Sequence, residues 1–445
     1  MGMELYNQSA VAKAVWDEAD RHLGEVYGFG ILEIRKLFIL GGGIKGHGIR
    51  RRYMEMTYQT TDKDGNVKTF PLFGEINLRT SRYTFSSPTG LLYVTEFAQI
   101  ALVVTEKAAF EDLHEKGLIQ EGAPFASHSL GEYSALASIA GVLPISALVD
   151  VVFFRGITMQ RAAMAAVNPS RIGKSFSDAA LREVVDTISK RCDVLLEIMN
   201  FNVEGQQYVT AGELVGLQTL TNVLNFLKVQ KIDIEKLQET MSLEECHKES
   251  VAKEKKQGYI VLERGFASIP LPEIDVPFHS CYLWAGVMPF RAYLSKKLNP
   301  AHMNPELLID KYIPNLTAKP FQISKSYAER IHQQTISPRL EKALKNWVED
   351  RWDLHENQSK LGYVIIVELL ALQFASSVLW IHTQDQQFSH DKYKVQRLVE
   401  FGPSPTLTGM ATRTLKLKFE NQDTASSMNW EILCISKNMR EICYQ

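Results

Sequence analysis

The sequence has few cysteines, and none of them is spaced like a metal ligand. Its 445 residues include five cysteines, with no C-x-x-C pair among them. Disulfide frameworks and zinc sites need paired or clustered cysteines, so we predict reduced thiols and no bound metal. Reduced thiols are typical of the cytosol, and we therefore expect a cytoplasmic protein.

The sequence also has no strong charge excess and no uninterrupted apolar run. The net charge is −2, which gives no reason to expect nucleic acid as a partner. The strongest apolar run, residues 361–380, is interrupted by Glu368 and Gln373, which favours a buried helix over a membrane span. The N-terminus lacks the basic and then apolar order of a signal peptide. We therefore expect no membrane partner.

The composition, 45% hydrophobic and 22% charged, suits a packed globular core. Apolar residues recur at three- and four-residue steps over 7–22, which predicts a helix with one buried face, and 95–116 has the pattern of another helix. Residues 37–40 predict a strand that ends in a turn at glycines 41–43. Residues 53–73 predict a hairpin.

The middle of the chain has a pattern of its own. Residues 175–227 follow the order helix, strand, strand, helix, which predicts a small inserted α/β subdomain. The strongly charged segment 239–256 is typical of a solvated loop or frayed helix.

Ser129 lies between a short strand candidate at 124–127 and a helix that starts near Gly131. A serine on such a turn is held clear of its backbone, and the helix behind it supplies N–H groups for a developing oxyanion. Small residues must flank the turn. Gly131 meets this requirement, whereas Ser127 stands where glycine is usual. The pentapeptide alone leaves a catalytic serine and a chance match equally open.

The wider sequence is more specific than the pentapeptide. Segments 125–138, 148–156, 200–203, 262–267 and 312–321 together resemble the malonyl/palmitoyl transferase domain of fungal type I fatty acid synthase. The resemblance implies an α/β fold, with a parallel-sheet acyltransferase core, a serine nucleophile elbow and a small ferredoxin-like subdomain.

The resemblance also implies an arrangement of the domain along the chain. Segment 368–407 is similar to a part that often begins the second, alpha subunit, whereas here it follows the beta-subunit body directly, as in a fused arrangement. We predict core in residues 1–165, the ferredoxin-like subdomain and charged loop in 166–270, and the second part of the core in 271–445.

A serine hydroxyl needs a base, and the resemblance places that base at His279. The residues alone do not single out any of the 11 histidines. His128 adjoins the serine and should point away from it, so we interpret it as structural. In the family the histidine is steadied by a backbone carbonyl, which the resemblance places within 377–380.

Arg155 bears on the substrate class. An arginine fork can bind a carboxylate through two parallel hydrogen bonds, as the free carboxylate of a malonyl group requires. The residue pattern alone favours a surface salt bridge on the helix from Ile145, and the family spacing from Ser129 implies substrate binding. By the same resemblance Phe278, Gln99 and Asn202 line the substrate site.

The resemblance also concerns the oxyanion hole. The backbone N–H of Leu130 is the expected donor within this sequence, and the family's other donor lies in a glutamine-containing turn that precedes the start of the match at Met1. We therefore expect the sequence to contain one of the two donors.

The predicted function is transfer of malonyl groups, with long-chain acyl groups as a further class, between CoA and acyl carrier protein through an acyl-serine. CoA thioesters and the carrier's phosphopantetheine are then substrates rather than bound cofactors. The partners are the carrier protein and other fatty acid synthase domains or subunits. Two alternatives stay open: a serine hydrolase or thioesterase, and an inactive structural remnant of a synthase.

Overall fold

The computed structural model describes most of the chain, namely residues 2–34, 39–43, 47–61, 67–86, 90–157, 163–173, 176–230, 242–258, 260–271, 277–389, 393, 395–425 and 429–443. The chain forms two compact units. The large unit comprises Met1–Met159, Trp284–Leu372 and Asp385–Gln445, and the small unit comprises Gln160–Leu283 and Gln373–Gln384.

The described residues contain 18 α-helices. In chain order they are α1 (Met3–Gln8), α2 (Ala10–Tyr27), α3 (Ile31–Ile34), α4 (His47–Glu55), α5 (Thr95–Glu115), α6 (Gly131–Ser138), α7 (Ile145–Ile157), α8 (Asp178–Cys192), α9 (Leu214–Gln230), α10 (Ser242–Gln257), α11 (Trp284–Lys297), α12 (Lys325–Thr335), α13 (Pro338–Lys345), α14 (His355–Gln373), α15 (Trp380–Gln387), α16 (Thr406–Thr414), α17 (Glu420–Ala425) and α18 (Ile435–Cys443).

Twelve strands accompany these helices. They are β1 (Ile39–Gly43), β2 (Thr57–Thr61), β3 (Val67–Pro71), β4 (Arg82–Ser86), β5 (Phe125–Ala126), β6 (Ala163–Val167), β7 (Leu196–Val203), β8 (Gln207–Gly212), β9 (Ser268–Pro270), β10 (Tyr312–Ile313), β11 (Arg397–Glu400) and β12 (Glu431–Cys434).

Helix α2 shows how local sequence sets an element of the large unit. Its N-cap Ser9 accepts a hydrogen bond from the Ala12 N–H across 3.2 Å, which satisfies one of the free donors of the first turn. It ends at Gly28, whose φ of 81° allows its N–H to reach two carbonyls of the last turn. The predicted helix over 7–22 is confirmed, although it begins at residue 10 and continues to residue 27.

The centre of the large unit is helical. Helix α5 packs against α2, α6 and α7, and its bounds confirm the helix predicted for 95–116. Helix α7 is buried on every side from residue 147 to residue 156, and Leu148, Val149, Val152 and Phe153 have no exposed surface. A helix that is buried all round belongs to a core, so α7 provides a rigid frame for the polar side chains it carries.

The strands of the large unit pair in parallel and antiparallel fashion. Strand β5 pairs in parallel with β10, and β11 pairs in parallel with β12. Strands β2 and β3 pair antiparallel, which confirms the predicted hairpin for 57–61 and 67–71, and residues 62–66 lie outside the described residues. Residues 53–55, which were predicted to belong to the hairpin, are the end of α4 instead. Gly41–Gly43 were expected in a turn, which was wrong: they continue β1 and pair with β4 from Gly41↔Thr84 to Gly43↔Arg82. Pairing with a partner strand overrides the turn preference of glycine here.

The small unit contains a four-stranded antiparallel sheet in the order β7-β8-β6-β9. The chain runs β6-α8-β7-β8-α9-β9, and this connectivity with this strand order is the ferredoxin-like arrangement. A cluster of buried side chains from the sheet and both helices, including Leu181, Tyr208 and Leu224, forms its core. The predicted ferredoxin-like subdomain is therefore confirmed.

The charged segment 239–256 differs in part from the expectation. Residues 242–257 form α10, which packs on α9 and buries Leu243, Cys246 and Ser250. Three buried residues at three- and four-residue spacing form one narrow face, and the many charges around it obscured that face in the sequence. Of the two predicted alternatives for this segment, the helix is confirmed for residues 242–256 and the solvated loop is wrong there, while residues 239–241 lie outside the described residues.

Within the described ranges, none of the helices combines the length and the apolar character needed to cross a bilayer. Helix α14, which contains most of the apolar run noted above, is instead buried over most of its second half. Parallel strand pairs combined with packed helices confirm the predicted α/β class. The assignment of residues 1–165, 166–270 and 271–445 to three functional segments stays a prediction.

Candidate active site

Ser129 occupies the predicted turn between β5 and α6. Its φ of 53° lies in the left-handed region, which non-glycine residues seldom adopt because the Cβ crowds the backbone. Such conformations persist only where surrounding contacts enforce them, and they concentrate at functional sites. The strand, the strained serine and the helix together form a nucleophile elbow.

Gly131 begins α6 and explains the unusual residue at the start of the motif. A Cβ added at Gly131 would lie 1.9 Å from the hydroxyl oxygen of Ser127. The space beside Gly131 is therefore filled by the Ser127 side chain, and the elbow closes because residue 131 has no side chain. The departure from the usual glycine at position 127 is accommodated without opening the turn.

The backbone of the elbow is held by Asn315, a residue that sequence reasoning missed. The N–H of Ser129 donates to Asn315 Oδ1 across 2.6 Å, and Asn315 Nδ2 donates to the backbone oxygen of Ser127. Asn315 is 1% exposed and lies 186 residues from Ser129 along the chain. It belonged to one of the family-like segments, but no local pattern distinguished it from an ordinary turn asparagine.

Leu130 directly precedes the first turn of α6, where backbone N–H groups have no helical acceptor. Within the described ranges, the Leu130 N–H donates to no protein group. The Ser129 N–H, by contrast, is engaged by Asn315. The Leu130 N–H therefore remains available at the elbow, and its role as an oxyanion donor stays a prediction.

Arg155 on α7 and Gln99 on α5 meet beside the serine. Arg155 Nη1 donates to Gln99 Oε1 across 2.9 Å, and Nη2 donates to Ser129 Oγ across 3.1 Å. The two side chains are 2% and 5% exposed. The structure therefore brings together three of the predicted residues, with a cation directed at the serine oxygen.

Close packing of two helices makes this meeting possible. A Cβ at Gly156 would lie 2.5 Å from the Cα of Glu96, so α7 approaches the backbone of α5 closely at this point. Arg155 adjoins Gly156, and Gln99 lies one helical turn after Glu96. The glycine thus sets the distance between the arginine and its glutamine.

The guanidinium of Arg155 is a desolvated charge. Burial lowers the pKa of Arg155, and Tyr133 and Glu132 oppose this change. The Tyr133 ring centroid is 5.8 Å from the guanidinium carbon. An arginine does not lose its proton in proteins, so a buried guanidinium favours binding of an anion that replaces the lost hydration.

His279 belongs to the small unit and is 3% exposed, with a positive φ of 65°. Its Nδ1 lies 2.8 Å from the Gln373 backbone oxygen and 3.2 Å from that of Ser376. Both partners can only accept, so Nδ1 carries a proton, and in the neutral form of the ring the lone pair is on Nε2. This tautomer is the one a general base requires.

The supporting carbonyl was predicted within 377–380, which was wrong. Both carbonyls come from residues just before that segment, and Gln373 is the last residue of α14. The Gln373 carbonyl also accepts from the Ser376 N–H across 3.4 Å. Carbonyls at a helix end commonly accept hydrogen bonds from groups outside the helix.

Phe278 and Asn202 also lie in the small unit. Phe278 packs against a buried cluster that includes Met199 and Val209. Asn202 on β7 is 3% exposed, and its backbone oxygen accepts a hydrogen bond of 2.7 Å from Gln384 Nε2. Their predicted roles in binding substrate stay predictions.

Glu106 on α5 is a further titratable group near the elbow helix. The Ser134 hydroxyl lies within hydrogen-bond distance of the Glu106 carboxyl group and 3.0 Å from the Gly131 oxygen. Burial raises the pKa of Glu106 to about 7; the Ser134 hydroxyl opposes this rise and Glu400 adds to it. Sequence reasoning gave no signal for this group.

In the part of the chain that the structure describes, no three histidine, cysteine, aspartate or glutamate side chains are grouped to hold a metal ion.

Comparison with known proteins adds to this geometry. Residues 1–163 and 162–338 match the family described as acyl transferase domain. The fatty acid synthase subunit beta of Schizosaccharomyces pombe is 50% identical over 376 residues, which are 78% of this chain and 18% of that protein. Fatty acid synthase 2 of Mycosarcoma maydis is 42% identical over 461 residues, 100% of this chain and 12% of that protein. The chain thus spans less than a fifth of the length of these relatives.

A solved structure shows the same fold. The acyl-carrier-protein-S-malonyltransferase from Bartonella henselae superposes with a TM-score of 0.56 at 19% identity, covering 99% of this chain and 92% of that one. The predicted acyltransferase fold is therefore confirmed.

Proposed function

Because the chain belongs to the acyl transferase domain family, we propose that Ser129 carries a malonyl group between CoA and the phosphopantetheine thiol of an acyl carrier protein. The observation that supports this most is the buried Arg155 guanidinium, 3.1 Å from Ser129 Oγ. Hydrolysis of a neutral ester has no use for a desolvated cation at the nucleophile. A substrate that ends in a free carboxylate, by contrast, can pair with that cation.

The first half-reaction forms the acyl-serine. Ser129 Oγ attacks the thioester carbonyl carbon of malonyl-CoA while its proton passes to His279 Nε2. The Leu130 N–H donates to the oxyanion of the tetrahedral intermediate. The C–S bond then breaks, and the CoA thiolate takes the proton from the imidazolium.

The second half-reaction repeats these steps in reverse. His279 takes the proton of the carrier thiol, whose sulfur attacks the acyl-serine carbonyl, and the Ser129 oxygen leaves and recovers the proton. Two substrates that share one acyl-enzyme give ping-pong kinetics. CoA thioesters enter as substrates in this scheme, and no resident cofactor takes part.

The remaining predicted residues have supporting roles in the proposal. Arg155 binds the malonyl carboxylate, and Gln99 holds the guanidinium in place through the 2.9 Å hydrogen bond. Phe278 shapes the acyl pocket and Asn202 lines it. We further propose that the reaction takes place in the cytoplasm, together with other domains or subunits of a fatty acid synthase.

The test measures acyl transfer to Ser129 directly. Radiolabelled malonyl-CoA should label the wild-type chain at Ser129, as located by peptide mass spectrometry, and should leave Ser129→Ala unlabelled. His279→Ala should slow labelling by about 100-fold or more. Absence of label on the wild type, or equal label on Ser129→Ala, would contradict the proposal.

Arg155→Ala separates a malonyl transferase from a plain serine hydrolase. Malonyl labelling should fall by on the order of 100-fold because the substrate carboxylate loses its buried partner, while acylation by a neutral acyl ester should continue. Arg79→Ala, which changes an exposed arginine of the same unit, is the matched control. Equal losses for malonyl-CoA and the neutral ester would favour the hydrolase.

A further inference from the structure

The elbow is held by Asn315, which lies outside the motif 127–131 and is called the anchor below. We propose that Asn315 is a positioning residue for the nucleophile: its side-chain amide holds Ser129 in the left-handed conformation and leaves the Leu130 N–H as the oxyanion donor. The inference rests on the proposed acyl-serine function and adds a residue to it.

The two ends of the Asn315 amide contact the backbone on either side of His128, just before the strained residue. Oδ1 accepts from the N–H of Ser129 across 2.6 Å, and Nδ2 donates to the backbone oxygen of Ser127. These contacts fix the backbone that leads into Ser129, while the Asn315 backbone N–H bonds Glu132 in the helix that follows. Rotation of Ser129 to negative φ would move its N–H relative to that helix, so it would break one of the hydrogen bonds to Asn315.

The orientation of the amide follows from its partners. An N–H can only donate and a backbone carbonyl can only accept, so the oxygen of Asn315 must face Ser129 and the nitrogen must face Ser127. The reverse orientation would place two donors and two acceptors against each other. Asn315 thus fits the elbow in one way only.

Asn315 is itself held by the first turn of α6. Its backbone N–H donates to Glu132 Oε1 across 2.9 Å, and the Tyr312 hydroxyl donates to the same oxygen. Glu132 is 1% exposed, and Tyr312 lies on β10, which pairs in parallel with β5. The anchor is therefore tied to the strand before the serine and to the helix after it.

This arrangement decides which backbone N–H groups the elbow offers. With its N–H bound to Asn315, Ser129 cannot use that group for an oxyanion, and the Leu130 N–H can. The same contact holds the hydroxyl of Ser129 where Arg155 Nη2 reaches it. Loss of the Asn315 contacts would displace the hydroxyl oxygen of Ser129. A displacement of about 1 Å of a reacting atom can slow a reaction ~100-fold.

The experiment measures the reactivity of Ser129 with a fluorophosphonate, which forms an Oγ–P bond and releases fluoride and a proton. Asn315→Ala should lower the maximal labelling rate by about 10- to 100-fold while the half-saturating reagent concentration stays the same. Asn315→Asp keeps the acceptor for the Ser129 N–H but loses the donor to Ser127. Its labelling rate should therefore lie between the rates of the wild type and Asn315→Ala.

Thr317→Val is the matched control. Thr317 is a buried polar residue of the same segment, and its hydroxyl pairs with the Tyr327 hydroxyl at 3.3 Å, away from the elbow. It should label within about twofold of the wild type, whatever small loss of stability it causes. Circular dichroism at the assay temperature confirms that each variant is folded.

The outcomes separate this inference from the proposed function. Wild-type labelling rates in Asn315→Ala, or an equal loss in Thr317→Val, would overturn the role of Asn315. A wild type labelled by the fluorophosphonate but never by malonyl-CoA would overturn the transferase and still allow the anchor to be measured. A wild type that reacts with neither reagent overturns both.

Discussion

Arg155 donates to the hydroxyl of Ser129 through Nη2, so a permanent cation is in hydrogen-bond contact with the candidate nucleophile. A positive charge at this place favours negative charge on the serine oxygen and on any carboxylate that arrives beside it. The same guanidinium also bonds Gln99, whose amide is neutral. Replacing that neutral partner by an acid would therefore change the charge that the substrate meets.

Gln99→Glu should reduce malonyl transfer more than Gln99→Ala does. The new carboxylate would pair with Arg155 and compete with the malonyl carboxylate, lowering kcat/KM for malonyl-CoA by on the order of 10-fold or more. Gln99→Ala only removes one hydrogen-bond acceptor, which costs about 3- to 10-fold. Steady-state rates with malonyl-CoA and with a neutral acyl-CoA check this, and the neutral substrate should respond little to either change. A greater effect of Gln99→Ala would contradict the charge argument.

Gly131→Ala should disrupt the elbow, and a second change should restore it. The added Cβ would meet the Ser127 hydroxyl at 1.9 Å, so labelling of Ser129 should fall by about 10-fold or more through misplacement of the serine. Ser127→Gly removes the obstructing side chain, and the double variant should recover much of the rate. Ser127→Gly alone provides the baseline. No recovery in the double variant would mean that the overlap with Ser127 is not the cause.

Gly156→Ala should destabilise the large unit. Its Cβ would lie 2.5 Å from backbone atoms of Glu96, and α7 would have to move away from α5, at a cost of about 1–3 kcal/mol in the free energy of unfolding. The control is Gly24→Ala in α2, where the space around the new methyl is open. That change should raise stability by up to about 1 kcal/mol, since alanine is the better helix former. Urea unfolding measures the free energy of unfolding of both variants. Equal changes in the two variants would refute the steric explanation.

Glu106 should make stability depend on pH. Its folded-state pKa of about 7 exceeds the unfolded value, so the folded chain retains a proton that the unfolded chain releases. The stabilising contribution is complete below about pH 4.3, is lost as pH rises towards 7, and amounts to on the order of 1–3 kcal/mol. Glutamine does not titrate, so the stability of Glu106→Gln relative to the wild type should be higher at pH 8 than at pH 5. Unfolding curves at both pH values test this, and a difference that does not change with pH would contradict it.

Parts of the fold followed from local sequence because local chemistry determines them. Helix α5 matched its predicted bounds closely, since its apolar periodicity and its ends depend on adjacent residues. The prediction for glycines 41–43 failed because their strand conformation depends on β4, some 40 residues farther along the chain. The buried face of α10 could not be predicted for a similar reason: its contacts with α9 and α8 show which side of it is buried.

The candidate site divides in the same way. The spacing of Ser129 and Gly131 indicated an elbow but left a chance match equally open, and the family resemblance supplied Arg155, Gln99 and His279. The Asn315 anchor and the Gln373 and Ser376 carbonyls were not found. Each of these acts through a hydrogen bond to a residue 94 or more positions away, and such a pairing leaves no trace in local periodicity.

The carbonyls that hold His279 have a consequence for the order in which the protein can assemble. During synthesis from the N-terminus, the ferredoxin-like sheet is complete at β9, but the acceptors for the imidazole are made about a hundred residues later. Until then the histidine has neither its fixed tautomer nor the contact of its N–H with Phe374. Such distant contacts form late because a long loop must close first. The imidazole therefore acquires its support only after the surrounding sheet can fold, so the sheet of a nascent chain can be structured before His279 is held in place.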